Sequence, residues 1–206
     1  MSLIVGVGNP GIEYHYTRHN IAWRILDSWE ELEKSLVWKE KFKGLYASES
    51  IKGEKHYFLK PQTFMNLSGE SVLPAQKFFK IDKSETLVIH DELDLEYGML
   101  AFKKGGGFAG HNGLKSISSC CGGPDFLRLR VGVGRPPHGN VSSWVLSKHT
   151  SDEEIVLEDF LKLSAKAIQD FLTRGFEKAA NAYSSCLLYT SPSPRDQRGS
   201  RMPSSA

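Results

Sequence analysis

The residues best suited to chemistry stand between a short apolar run and the first helical pattern. Leu3, Ile4 and Val5 lead into a turn punctuated by Gly6, Gly8 and Gly11, and Asn9, Tyr14, Arg18, His19 and Asn20 crowd in and after it. Hydrogen-bonding side chains on loops beyond the end of a buried strand sit where α/β proteins usually carry out reactions. His19 titrates near neutrality and is the natural general base, with Asn9 as its close neighbour. A second cluster, His90-Asp91-Glu92-Leu93-Asp94, closes another apolar run. Its three carboxylates suit a charge partner for a histidine, a divalent-metal site or a solvated loop. A third stretch, residues 103–113 (KKGGGFAGHNG), sets five glycines in nine residues behind two lysines. Glycines let backbone N–H groups approach an anion and lysines add charge, while the polar pair His111-Asn112 favours a site over a linker.

The first stretch also fits G-x-G-x-x-G after a strand, the pattern of dinucleotide binding. That function needs a helix opening within the glycines and an acidic residue at a strand end about 20 positions on. Here Pro10 drives Asn9 away from helical backbone. The polar run 13–17 delays the helix, and Glu30 and Glu31 fall inside a helical pattern. The nucleotide reading is set aside.

The elements that must position these groups follow from periodicity. Ala22, Trp23, Ile25, Leu26, Trp29 and Leu32 recur at helical spacing and predict a helix from His19 or Asn20 to Glu33. His19 then stands near a helix N-terminus, which tends to keep an imidazole neutral. Gly44 to Ile51 and residues 56–59 predict a hairpin turning at 52–54. Ser68 is expected to cap a helix reaching Lys80, with Pro74 awkward unless the helix starts near Ser71. Residues 85–90 and 99–103 read as strands, 114–121 as a short helix, and 126–134 (FLRLRVGVG) as a strand with Arg128 and Arg130 on one face. Residues 141–146 read as a short extended piece. Ser151 is expected to cap a last long helix over 152–172, followed beyond Gly175 by a short one over 176–183.

The chain of 206 residues is long enough for one α/β domain. From Cys186 the composition turns to Ser, Pro and Arg, so residues 1–185 are taken as the domain and 186–206 as a disordered or artefactual tail. The tail carries Arg195, Arg198, Arg201 and Asp196, or 3 − 1 = +2 of the total +2, leaving a neutral body. Bulk charge therefore offers no grip on a polyanion, and any grip must be local. Three cysteines without ligand spacing argue against a disulfide framework or zinc site. No run of 18 apolar residues is present. A soluble, reduced, cytoplasmic protein is expected.

Four segments, GNPGIEYHYTRHN, KPQTFMNLSG, HDELDL and KKGGGFAGHNGL, together with FLRLRVGVGRP, closely resemble the bacterial-type peptidyl-tRNA hydrolase family in order and spacing. The resemblance covers about residues 2 to 184. It implies a single α/β domain, a twisted mixed β-sheet sandwiched by helices, that hydrolyses the ester between a peptide and the tRNA 3′ ribose. His19 matches the family's base, Asp91 the carboxylate that holds it, and Asn9 the residue linked to recognising an N-blocked aminoacyl group. Tyr14, Phe64, Asn66 and Asn112 match positions for the acyl and 3′-terminal end. Lys103, Lys104, Arg128 and Arg130 are candidates for phosphate contacts. Peptidyl-tRNA is the expected partner, with no cofactor, metal or membrane, and a monomer is expected. The alternative is a silent RNA-binding relative of the same fold.

Overall fold

A computed structural model describes residues 1–31 and 36–183. Leu32 and Glu33, at the expected end of the first helix, and the tail from Cys186 lie outside the described residues.

Seven strands form one sheet in the order β2-β3-β4-β1-β5-β7-β6. They are β1 (Leu3–Gly6), β2 (Lys39–Lys41), β3 (Gly44–Ile51), β4 (Glu54–Pro61), β5 (Thr86–Glu92), β6 (Leu100–Lys104) and β7 (Leu127–Gly132). The inner strands β4, β1, β5 and β7 run parallel; β3 on one flank and β6 on the other run against them, and β2 pairs antiparallel with β3. Strand β1 lies near the middle because Leu3, Ile4 and Val5 can be buried on both faces, each fully enclosed and each worth about 1.5–3 kcal/mol. The expected hairpin is present. Lys52 and Gly53 both have positive φ (49° and 80°), as a two-residue turn between right-twisted strands requires.

Helices α1 (Ile21–Asp27), α5 (Ser151–Arg174) and α6 (Phe176–Tyr183) cover one face, and α2 (Gly69–Phe79) and α3 (Asn112–Cys120) the other. A short α4 (Val141–Val145) sits near one end. The alternation of β1 divides the core: Leu3 and Val5 pack with Val72, Leu114 and Ile117, while Ile4 packs with Ile25, Phe160 and Ile168.

Several expectations need correction. Residues 141–146 are not extended: Asn140 accepts the Ser142 N–H through its side chain and starts α4. The last long helix is capped by Thr150, not Ser151, with Thr150 and Glu153 forming a reciprocal capping box. Ser68 has helical backbone and its hydroxyl donates back to Met65 O, so it caps nothing. Helix α2 starts at Gly69 and passes through Pro74. Pro74 and Glu70 are both exposed, and the missing N–H of Pro74 leaves the Glu70 carbonyl without its helical partner. The first helix is split into a 3-10 turn (Arg18–Asn20), α1 and a second 3-10 turn (Ser28–Glu31).

Candidate active site

Parallel sheets bind ligands beyond the carboxyl ends of their strands. Here the ends of β1 and β5 deliver Asn9 and Asp91 to one cleft. Gly6 and Gly8 serve packing: a Cβ at Gly6 would lie 2.8 Å from Leu26 Cδ1, and one at Gly8 2.7 Å from the Trp23 ring. The glycines that mimic a dinucleotide motif thus let α1 press on β1. That helix opens only at Ile21, well past Gly11.

Asn9 is 7 % exposed and pinned at three points. Its N–H donates to Asn20 Oδ1 (2.9 Å), its carbonyl accepts from Asn20 Nδ2 (2.9 Å), and its Oδ1 accepts from Met65 N (2.8 Å). Because an N–H can only donate, the amide of Asn9 has one orientation, which leaves its NH2 for the cleft. Asn20 thus acts as a frame for Asn9, a role that only the folded chain reveals.

Asp91 is 3 % exposed at the end of β5. One of its oxygens, Oδ1, receives both His19 Nδ1 (2.8 Å) and His111 Nε2 (3.0 Å). His111 is the N-cap of α3, and its Nδ1 accepts from the N–H groups of Gly113 (3.2 Å) and Leu114 (3.4 Å). With Nδ1 accepting these N–H groups, the other ring nitrogen, Nε2, is the one that donates to Asp91. His19 likewise directs Nδ1–H at Asp91, leaving the lone pair of Nε2 on the cleft side. His90 is buried beside them and donates from Nδ1 to Asp91 O (2.7 Å).

The electrostatics follow. Burial pushes the His19 imidazole down, but the charge and hydrogen bond of Asp91 outweigh it and hold His19 above its ordinary value. The expected depression by a helix N-terminus is therefore overturned: the carboxylate, not the helix, sets this histidine. Burial pushes Asp91 up, and its two imidazole partners bring it well below the usual carboxylate range. His90 is held down to about 3, mainly by burial, and stays neutral.

The cleft measures about 570 Å³, and its wall includes Asn9, His19, Phe64, Asn66, Asp91 and Asn112. Phe64, Asn66 and Asn112 are exposed residues of this wall, which also takes Val141, Val145 and Leu146 from the α4 segment. Tyr14, Lys103 and Arg130 lie outside this wall. Tyr14 is half-buried, and its carbonyl holds Thr17. Lys103 is exposed. Arg130 donates to Glu92 Oε2 (2.8 Å). Arg128 is buried under the glycine stretch and donates to Gly107 O (2.9 Å). Of the three carboxylates, Glu92 pairs with Arg130 and Asp94 with Arg135, so Asp91 alone serves the histidines.

Arg18, next to His19, is tied to the segment between α4 and α5 and to the first turn of α5. It is 1 % exposed. Its Nη1 donates to Ser147 Oγ (2.6 Å) and to Lys148 O, and its Nη2 meets Glu153 (2.5 Å). The guanidinium lies 3.7 Å from the centre of the Trp144 ring.

A buried carboxylate orienting an imidazole whose other nitrogen opens on a cleft lined with amides is the apparatus of a hydrolase that activates water. The comparisons agree. The family profile described as Peptidyl-tRNA hydrolase matches residues 3–190, so the match runs past Cys186. A peptidyl-tRNA hydrolase of Sorangium cellulosum is 46 % identical over 184 residues, covering 88 % of this chain and 82 % of that protein. One of Geotalea uraniireducens is 44 % identical over 183 residues, covering 89 % and 96 %. A crystal structure of the Acinetobacter baumannii peptidyl-tRNA hydrolase superposes with a TM-score of 0.83 at 36 % identity, covering 90 % of this chain and 95 % of that one. The chain belongs to the peptidyl-tRNA hydrolase family.

Proposed function

We propose that the protein hydrolyses the ester joining a peptide, or another N-blocked aminoacyl group, to the 3′ ribose of tRNA, with His19 as the general base. The observation that carries this reading is the 2.8 Å contact of His19 Nδ1 with Asp91, which turns Nε2 to the cleft. Nε2 takes a proton from water as the water oxygen adds to the ester carbonyl. The carbon–oxygen bond to the ribose then breaks, and the imidazolium returns its proton to the departing sugar oxygen. Asp91 fixes the tautomer and stabilises the imidazolium, and base catalysis of this kind is worth roughly 10²–10⁴-fold. The NH2 groups of Asn9, Asn66 and Asn112 are neutral donors for the carbonyl oxygen as it gains charge, or for the peptide backbone; one such donor is worth about 3–4 kcal/mol. Phe64 offers an aromatic wall for an acyl group or a terminal base. Tyr14, outside the cleft wall, is proposed for the same end of the substrate, and Lys103 and Arg130 for its phosphates.

Metal-free action goes with this reading. Donor atoms of His19, Asp91 and His111 lie within 4.8 Å of one another, close enough to suit a cation. Hydrogen bonds already account for all three, with a proton on each of the two ring nitrogens. Action as a cytoplasmic monomer is part of the same proposal. Among the described residues, no helix is long and apolar enough to cross a membrane.

The test is release of free tRNA from a blocked aminoacyl-tRNA. A folded protein that binds this substrate without turning it over would favour the silent RNA-binding relative. His19, Asp91, Asn9, Asn66 and Asn112 are all in place for turnover.

A further inference from the structure

The flank of the sheet formed by β2, β3 and β4 sorts most of its charges by face; Lys60, opposite Leu45 and meeting Asp27, is the lysine of these strands on the carboxylate side. In the observed register, Lys39 lies opposite Tyr46, Lys41 opposite Gly44, Ser48 opposite Tyr57 and Ser50 opposite Lys55. Paired residues share a face. Lys39, Lys41 and Lys55 therefore project with Tyr46 and Tyr57 on the side covered by α2. The carboxylates of these three strands, Glu40, Glu49 and Glu54, fall on the other side, opposite Leu45, His56 and Ile51. Lys80, the residue after α2, joins the lysine side. A groove of about 650 Å³ opens there, lined by Lys39, Tyr46, Lys55, Tyr57, Phe78 and Lys80 among others. Phe78 is 58 % exposed at its rim with Lys41 Nζ 3.5 Å from the ring centre, and Tyr57 stacks on Phe79 at 3.7 Å.

Among the described residues, none of Lys39, Lys41, Lys55 and Lys80 is in an ion pair, whereas nearby Lys43 meets Glu70. A helix C-terminus attracts cations and would by itself explain Lys80. It does not explain three strand lysines on the same side. In a chain whose residues 1–185 carry no net charge, four cations without an ion-pair partner, flanking the exposed Phe78 and the half-buried rings of Tyr46 and Tyr57, form a local field suited to phosphates with a ring face for a base or ribose.

We propose that this groove is a second RNA-contact surface and that it takes the backbone of the same tRNA whose ester end occupies the cleft. The inference rests on the tRNA reading above. Helix α2 joins the two places: the segment before it supplies Phe64 and Asn66 to the cleft, and its last turn supplies Phe78 to the groove. Eleven residues at about 1.5 Å each span ~16 Å, a few nucleotide steps.

The experiment compares the parent with a Lys39→Ala/Lys55→Ala/Lys80→Ala variant and with a triple Lys→Arg control, with folding checked by circular dichroism. Binding of uncharged tRNA is measured across a salt series. Turnover is measured on blocked aminoacyl-tRNA and on a blocked aminoacyl-adenosine ester. The Ala variant is expected to bind tRNA ~10-fold or more weakly at low salt, with a log–log salt slope shallower by about two units. Its turnover of the small ester should equal the parent's, and the Arg control should keep affinity and slope. Parental affinity and slope in the Ala variant would overturn the proposal. If that variant also self-associated, the lysines would be guarding the edge strand β2 instead. A parent inert towards both esters would sink the hydrolase reading, while the tRNA affinities would still decide the groove.

Discussion

Asp91 and Glu92 are consecutive carboxylates at the end of one strand, both more than nine-tenths buried, yet they do different work. The strand's alternation sends them to opposite faces. Asp91 meets two imidazoles, His19 and His111, while Glu92 meets the guanidinium of Arg130. An imidazole gains and loses its proton near neutral pH, so a carboxylate beside it tunes a reaction. A guanidinium keeps its charge, so a carboxylate beside it only fixes structure. The role of a buried acid is thus set by whether its partner can titrate.

The comparison breaks most visibly at the base itself. Removing the imidazole in His19→Ala is expected to lower turnover by at least ~10²-fold in a protein with parental thermal stability; near-parental rates would end the general-base assignment. Asp91→Asn should reduce turnover as well, and its pH profile carries the sharper test. His19 must be neutral to act, and Asp91 raises its pKa, so parental activity falls as the pH drops through that raised value. Without the charge the pKa falls, and the acid limb of the rate profile should move to lower pH. Glu92→Gln should leave that limb where it is and show its cost in stability, about 1–3 kcal/mol, read as a lower Tm. A shifted limb in Glu92→Gln would dissolve the distinction between the two acids.

Arg130 sharpens the contrast from the other side, because its guanidinium is already committed to Glu92 while Lys103 is exposed. Lys103→Ala should make the salt slope of tRNA binding shallower by about one unit, and Arg130→Ala by less. Equal effects would show that Arg130 leaves Glu92 to meet a phosphate. The smallest expected effect is that of a chelator: turnover should persist in excess EDTA, and loss restored by a divalent ion would put a metal among His19, Asp91 and His111.

Much of this was legible in the chain. The run 85–90 read as a strand because Leu87, Val88 and Ile89 form an apolar stretch behind Thr86, and the hairpin because Lys52-Gly53 stands between two strand-like runs. What stayed hidden has physical causes. Strand β2 is Lys-Glu-Lys, with no apolar signal, and is held only by its pairing to β3. Helix α4 is five residues of Val, Ser and Trp, whose propensities do not favour helix; its side-chain cap and the packing of Trp144 on Arg18 hold it. Thr150-x-x-Glu153 and Ser151-x-x-Glu154 both satisfy a capping box on paper, and only the approach of the chain chooses between them. At the site, residue types pointed to His19 and Asn9, and left three carboxylates open from which the family resemblance picked Asp91. The sharing of Asp91 by His111 and the framing of Asn9 by Asn20 join residues distant in sequence and appear only in three dimensions.

The clamp on Arg18 also bears on when the protein becomes active during its own synthesis. His19 and Asp91 are 72 residues apart, but the side-chain partners of Arg18 lie 129, 130 and 135 residues downstream. A chain emerging N-terminus first therefore holds its base and carboxylate well before it holds the post that braces them. Ribosome-bound chains of graded length are expected to begin turnover only after Glu153 has left the exit tunnel; activity in shorter chains would show that the brace is dispensable. On this ordering a nascent copy is inert towards peptidyl-tRNA, including the one that still carries it, until its C-terminal third has been made.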